Sequence, residues 1–192
     1  MEAPAAPHLV LLGLRCAGKS TVARMLSARL DMPWRDLDNM VAAAFALPDA
    51  AEAWKRHGER GFRAAEVSCL RLALAEPGGV IALGGGTPTI PAATSSLRAA
   101  QDAGTAVLVY LRASPGTLRS RMLADTSTCR PSLTGTLPED EVESIFLKRD
   151  SLYRKIADHV AVSDSLTPGE LVAQVSSAYR QDVGAEASHR PA

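Results

Sequence analysis

The sequence predicts an α/β fold in which one layer of mainly parallel strands lies between two layers of helices. Three observations carry this. Short apolar runs alternate along the chain with segments of helical periodicity, the order expected of consecutive βα units. One run, Thr105 to Ala113 ("TAVLVYLRA"), has no polar interruption between Ala106 and Leu111, as a strand covered on both faces requires. The stretch from His8 to Leu30 reads as a strand, a glycine turn and an amphipathic helix in direct succession. In such a sheet ligands bind beyond the carboxyl ends of the strands, so the turns that follow the strands are where function is to be sought.

Each element has its own signal. His8 to Gly13 ("HLVLLG") is a short buried strand, and Lys19 to Leu30 is a helix with Val22, Met25, Leu26 and Leu30 on its apolar side. Pro33 to Asp36 is a brief strand; Asn39 to Phe45, Ala50 to Trp54 and Arg63 to Glu76 are helical. Gly79 to Gly86 ("GVIALGGG") is a second apolar strand that ends in glycines, and a helix near Thr94 to Asp102 precedes the strand at Thr105. Ser114 supplies an N-cap and Pro115 a first-turn residue for a helix to about Ala124. Asp125 to Pro138, rich in Thr, Ser, Gly and Pro, reads as a loop. Glu139 to Asp158 is a long helix, His159 to Val162 a last short strand, and Thr167 caps a final helix to about Tyr179. One domain over residues 1–182 and a disordered tail over residues 183–192 are expected, without internal repeats.

Composition narrows the partners. Lysine plus arginine equals aspartate plus glutamate, 21 each, so no overall basic field gathers nucleic acid or an anionic membrane surface. The apolar runs are far shorter than the ~20 residues of a membrane span, and the N-terminus lacks a charged segment followed by a signal core. Cys16, Cys69 and Cys129 have neither disulfide-framework nor zinc-site spacing, which fits reduced thiols in the cytoplasm.

The chemistry begins at Gly13 to Thr21, "GLRCAGKST". Glycine, four residues, then Gly-Lys-Ser/Thr is met by Gly13, Gly18, Lys19 and Ser20. Backbone N–H groups of such a loop wrap phosphate oxygens, the following helix N-terminus adds partial positive charge, the lysine reaches the outer phosphates and the hydroxyl can ligate Mg²⁺. A triphosphate site is therefore expected. Cys16 sits inside the loop and has two readings: a side chain that points away while its N–H faces phosphate, or a reactive thiol activated by the helix N-terminus. The second strand ends in glycines rather than in a metal-binding aspartate, and the nearest carboxylates lie in "WRDLDNM". If that stretch is extended, Asp36 and Asp38 project to one side, toward the phosphates, one supporting the metal and the other taking a hydroxyl proton. The alternative is that one of them only caps the helix near Asn39.

"GLRCAGKST", "DLD", "GFRAAE", "LGGGTP", "CRPSL" and "RDSLYRKIA", in that order and spacing, resemble the shikimate kinase family along nearly the whole chain. The resemblance implies a P-loop kinase-type three-layer sandwich with a five-stranded parallel sheet in the order 2-3-1-4-5. An acceptor-binding region would span about 37–66 and a mobile lid about 125–138. It implies transfer of the γ-phosphoryl of ATP, with Mg²⁺, to the 3-hydroxyl of shikimate; a monomer is expected. Carried over by motif, Cys16, Ala17, Gly18, Lys19, Ser20 and Thr21 cradle ATP, Ser20 ligates Mg²⁺ and Asp36 orients the ion through water. Asp38 is the candidate base, Arg63 and Arg149 grip the shikimate carboxylate, and Gly84, Gly85 and Gly86 let the backbone approach the ring. Arg130 closes over the phosphates from the lid. A small hydroxylated anion does need planar guanidinium groups and a carboxylate acceptor, which this set supplies.

Each of these arginines could instead be a solvated or ion-paired surface residue, Arg63 with Glu66 in particular. Arg154 is the fallback for Arg149, and Trp54 and Phe62 are candidates for an apolar wall or plain core. Three departures from the family pattern stand out: Cys16 for a usual glycine, Ser151 for a usual proline, and "LTP" at Leu166 to Pro168 for a usual polar or basic position near the adenine. Two other functions remain in view, a sister kinase for an acid such as gluconate and a non-catalytic ATP-binding regulator.

Overall fold

The structure, a computed structural model, describes residues 6–124 and 141–189. Arg130, Cys129 and the lid expected over 125–138 lie outside the described residues.

Five strands form one parallel sheet: β1 His8–Leu12, β2 Trp34–Asp36, β3 Val80–Ala82, β4 Ala106–Arg112 and β5 His159–Val162. Their order is β2-β3-β1-β4-β5, the order that the resemblance implied. Successive strand residues point to opposite faces. All five residues of β1 are buried, so the sheet is covered on both sides, which is why β1 and β4 read as unbroken apolar runs. The helices are α1 Lys19–Leu30, α2 Leu37–Ala44, α3 Ala50–Ala75, α4 Pro91–Asp102, α5 Pro115–Ala124, α6 Val142–Ile156 and α7 Pro168–His189. α1 and α7 pack on each other and against the sheet, while α4 and α6 pack on β4 and α3 lies against α4. The chain lays β2 and β3 on one side of β1 and β4 and β5 on the other, so the order reverses at β1. The turn after β1 therefore opens into the crevice where ligands of such sheets bind.

Local chemistry sets the boundaries. Ser114 Oγ accepts from the N–H of Thr117, the N-cap expected ahead of Pro115. Thr167 and Glu170 form a reciprocal capping box: Thr167 Oγ1 accepts from the N–H of Glu170, and Glu170 Oε2 accepts from the N–H of Thr167. α7 then runs to His189, past the end expected near Tyr179 and into the stretch 183–192 expected as a tail. The two helices predicted at Ala50 and Arg63 are one element, α3, kinked where Gly58 takes φ 65° and ψ 179°. Glycine alone makes that geometry inexpensive, and it lets one helix both frame the acceptor region and return to the core. β3 is shorter than the run that predicted it, because Leu83 to Gly86 leave the sheet as a turn into the 3-10 segment Thr87–Thr89.

Candidate active site

The loop between β1 and α1 is shaped by its glycines. A Cβ on Gly13 would lie 2.7 Å from the carbonyl oxygen of Leu111 and 3.2 Å from Ala17 Cβ, so β4 itself forbids a side chain there. Gly18 is the N-cap of α1 in the left-handed region, φ 92°. No side chain caps α1 and no acidic residue stands in its first turn. Its N-terminal N–H groups and positive dipole end are thus left to an anion. Ala17 is buried and contributes only backbone, whereas Cys16, Gly18, Lys19, Ser20 and Thr21 line a cleft of about 1040 Å³. The side chain of Lys19 folds back over its own loop, Nζ donating to the carbonyls of Gly13 and Leu14 at 2.9 Å each. That anchors the ammonium group at the mouth of the cradle.

Cys16 adopts φ 61°, the left-handed region. This is the physical reason for a glycine at the position: an L-residue there costs on the order of 1 kcal/mol. Cys16 is half-buried and is one of the residues that line the cleft.

The aspartate pair is brought together by a cap rather than by an extended strand. β2 ends at Asp36, which is the N-cap of α2 and accepts from the N–H of Asp38 at 3.0 Å. Its other oxygen accepts from Ser20 Oγ at 2.5 Å, tying β2 to the first turn of α1. Asp38 is therefore in the first turn of α2 and is not its cap, which removes the cap reading for that residue. Burial pushes the Asp38 carboxyl above the ordinary range, the neighbouring charge of Asp36 adds to the rise, and Lys19 opposes it.

The glycine turn after β3 forms the opposite wall. A Cβ on Gly84 would lie 2.8 Å from Asp38 Oδ1 and 2.6 Å from Glu66 Oε1; one on Gly86 would lie 2.7 Å from Arg63 Nη1. Only a bare backbone lets these charged groups converge. Arg63 does pair with Glu66, Nη1 to Oε2 at 2.6 Å, as the simpler reading of that arginine held, but the pair is no solvated surface feature. Glu66 is 1% exposed and also accepts from Thr87 Oγ1 at 2.5 Å, and the Arg63 guanidinium lies 5.1 Å above the ring of Trp54. Arg63 is thereby held rigidly at the cleft, with Phe62 packed edge-on to Trp54 beside it. From α6, Arg149 Nη1 and Tyr153 Oη both donate to the carbonyl of Gly85, at 2.8 and 2.7 Å. Arg154 instead pairs with Asp150 and does not line the cleft, so Arg149 is the member of that helix at the site.

Of the predicted site residues within the described part, the cleft gathers Lys19, Asp38, Arg63, Gly85, Gly86 and Arg149 beside Ser20 and Asp36. Sequence reasoning passed over others. Arg15 and Arg121 line the same cleft, and Glu66, itself bonded by Thr87, holds Arg63 from behind. The spacing of Glu66 from Arg63 was visible, but its burial was not. Arg121, held by the carbonyl oxygen of Ser163 at 2.7 Å, had no motif to mark it. Ser20 and Asp36 give one hydroxyl and one carboxylate at the edge of the cradle. This suits Mg²⁺, which takes one or two protein oxygens and completes its shell with phosphate and water.

Comparison with known proteins places the chain in a family. The family described as shikimate kinase matches residues 15–180. A shikimate kinase of Rhodopirellula baltica is 35% identical over 179 residues, covering 92% of this chain and 92% of that protein. One from Thioalkalivibrio sulfidiphilus is 34% identical over 175 residues, 91% of this chain and 88% of its own length. Among solved structures, shikimate kinase from Acinetobacter baumannii in complex with shikimate superposes with a TM-score of 0.81 at 25% identity, covering 92% of this chain and 94% of that one. A gluconokinase from Sinorhizobium meliloti, at 15% identity and a TM-score of 0.61 over 97% of this chain and 99% of its own, shares the fold. With its sheet order, its phosphate loop and these matches in agreement, the chain belongs to the shikimate kinase family of ATP-dependent kinases.

Proposed function

We propose that the residues of this cleft transfer the γ-phosphoryl group of ATP to the 3-hydroxyl of shikimate, in the following roles. The observation that carries the assignment is the convergence, in one cleft, of a phosphate-binding half (Cys16 to Thr21) with an acceptor half (Asp38, Arg63, Arg149). Backbone N–H groups of the loop and the α1 N-terminus hold the polyphosphate, and Lys19 follows the charge onto the outer phosphates. Ser20 and Asp36 are the residues that would hold Mg²⁺, which when bound neutralises phosphate charge.

Arg63 and Arg149 present guanidinium groups to the acceptor carboxylate, and the glycine turn permits the ring to approach. Asp38 accepts the proton of the attacking hydroxyl as its oxygen bonds to the γ-phosphorus and the bond to the ADP oxygen breaks. A carboxylate with a raised proton affinity is the better base for this step, provided it is ionised, and Lys19 favours the ionised form. Arg130, assigned by its motif alone, supplies positive charge to the phosphates in this proposal. The same reading has the chain act as a monomer in the cytoplasm, a compartment that keeps thiols reduced.

ADP release from ATP and Mg²⁺ is measured with shikimate, with gluconate and without acceptor, beside a Lys19→Met control. Turnover with shikimate that is lost with Lys19 is the expected result. Turnover with gluconate alone would transfer the site to a different acid, and ATP binding without acceptor-dependent turnover would make the chain a regulator.

A further inference from the structure

Outside the cleft, the described residues hold one dense polar cluster that the proposed reaction does not use. It centres on Asp150 of α6. Oδ1 accepts from Tyr110 Oη and from Arg112 Nε, both on β4 and both at 2.9 Å, and Oδ2 accepts from Arg154 Nε at 2.9 Å. Helical spacing explains the arrangement. Phe146, Asp150 and Arg154 are four apart and form one row along α6; Arg149 and Tyr153 form the adjacent row.

The first row grips β4: Arg112 lies 5.0 Å above the ring of Phe146, besides its bond to Asp150. The second row grips the glycine turn, through the two donors on the Gly85 carbonyl. The rows are coupled, because the Tyr110 and Tyr153 rings meet edge-on at 5.4 Å and 88°. A rotation of α6 that released Asp150 from β4 would swing Arg149 and Tyr153 off Gly85.

The geometry points to Asp150 as a positioning residue: by clamping α6 to the end of β4 it sets the helix rotation at which Arg149 and Tyr153 meet Gly85, and so fixes the acceptor side of the cleft. The inference rests on the reading of Arg149 as an acceptor ligand. Asp150 touches no reacting atom. Burial alone would raise the Asp150 carboxyl, but the hydrogen bonds from Arg154, Arg112 and Tyr110 hold it below the ordinary range. Two arginines and a tyrosine hydroxyl converge on this one acceptor. Truncating it removes the acceptor through which Tyr110 and Arg112 of β4 hold α6, so the contact that sets the helix rotation is lost.

The test compares Asp150→Ala, Asp150→Asn and Tyr110→Phe with the unmodified chain. The readouts are KM for shikimate, KM for ATP, kcat, Tm and direct shikimate binding followed by the fluorescence of Trp54, which lines the cleft. Asp150→Ala is expected to raise the shikimate KM and Kd about 10-fold, the range for removal of a group that orients a ligand-binding side chain, while the ATP KM moves less than about twofold. Asp150→Asn, whose amide oxygen still accepts from Tyr110 and Arg112, should recover part of the loss, and Tyr110→Phe should show a smaller loss of the same kind. Equal shifts in both KM values, or a lowered Tm with shikimate binding unchanged, would reduce Asp150 to a stabilising contact. If Asp150→Ala does not fold, unchanged shikimate binding in the other two variants overturns the proposal. Absence of shikimate turnover in the unmodified chain would instead overturn the proposed function.

Discussion

Gly84→Ala is the sharpest single perturbation of the acceptor wall. The added Cβ would stand 2.6 Å from Glu66 Oε1, 2.8 Å from Asp38 Oδ1 and 2.9 Å from Thr87 Oγ1. Ordinary carbon–oxygen contact begins near 3.4 Å, so these atoms must retreat by roughly half an ångström or more. They cannot do so independently, since Thr87 Oγ1 and Glu66 Oε1 are bonded at 2.5 Å and Glu66 is buried with Arg63 on its other oxygen. The displacement therefore reaches both the candidate base and the candidate carboxylate grip.

Overpacking of this kind costs about 1–3 kcal/mol of stability. A misplacement approaching an ångström at reacting groups costs on the order of 10²-fold in rate, so kcat/KM for shikimate should fall about 10- to 100-fold. Steady-state ADP release and thermal unfolding of the same preparation measure both. Activity within twofold of the parent and an unchanged Tm would show that the wall gives way freely, and the argument from close approach would fail. Gly18→Ala, where nothing lies within 4 Å of the added atom but φ is 92°, separates backbone strain from collision in the same assays.

Two substitutions in the same cleft test the roles of its charged groups. Asp38→Asn should lower kcat by about 10² to 10⁴ with ATP affinity nearly kept. Because the Asp38 carboxyl titrates above its unfolded value, the fold pays for its ionised form, and this variant should also have a higher Tm at neutral pH, an increase that vanishes below the ordinary carboxyl range. Undiminished turnover would remove Asp38 as the base. Arg63→Ala should chiefly raise the KM for shikimate and, by leaving the buried Glu66 without its cation, lower the Tm; an unaltered KM would mean that the carboxylate is held elsewhere.

His8 carries the pH dependence of stability at the sheet. It is buried, its Nδ1 accepts from the N–H of Gly79 at 3.1 Å, and desolvation holds its pKa below 6.5. Between that value and the folded pKa the unfolded chain binds the extra proton, so stability falls as pH drops below about 6.5. Equilibrium unfolding at pH 7.5 and pH 5.5 should show the loss in the parent and not in His8→Gln; the same slope in both would assign it to another group.

Most of the scaffold could be read from local pattern. The α1 boundaries, the strands at His8 and His159 and the caps at Ser114 and Thr167 each depend on a few consecutive residues whose periodicity or hydrogen-bonding chemistry acts locally. The phosphate loop is legible for the same reason: its function resides in backbone N–H groups, and glycines announce where backbone must be bare. The acceptor residues became legible through order and spacing shared with a family, since no local signal separates Arg63 or Arg149 from a surface arginine.

Residue order alone carries the layer architecture, the strand-to-helix turns and the residue types that could bind phosphate and an acid. Which of those residues meet, and how firmly they are held, emerges from the packing of distant segments. That Asp36 joins Ser20 by capping α2, that Glu66 is buried behind Arg63, and that α6 turns Arg149 rather than Arg154 to the cleft all depend on contacts between distant segments. The physical reason is that burial and mutual orientation arise when helices pack on the sheet. A side chain's spacing fixes which row of a helix it occupies, but not what that row will face.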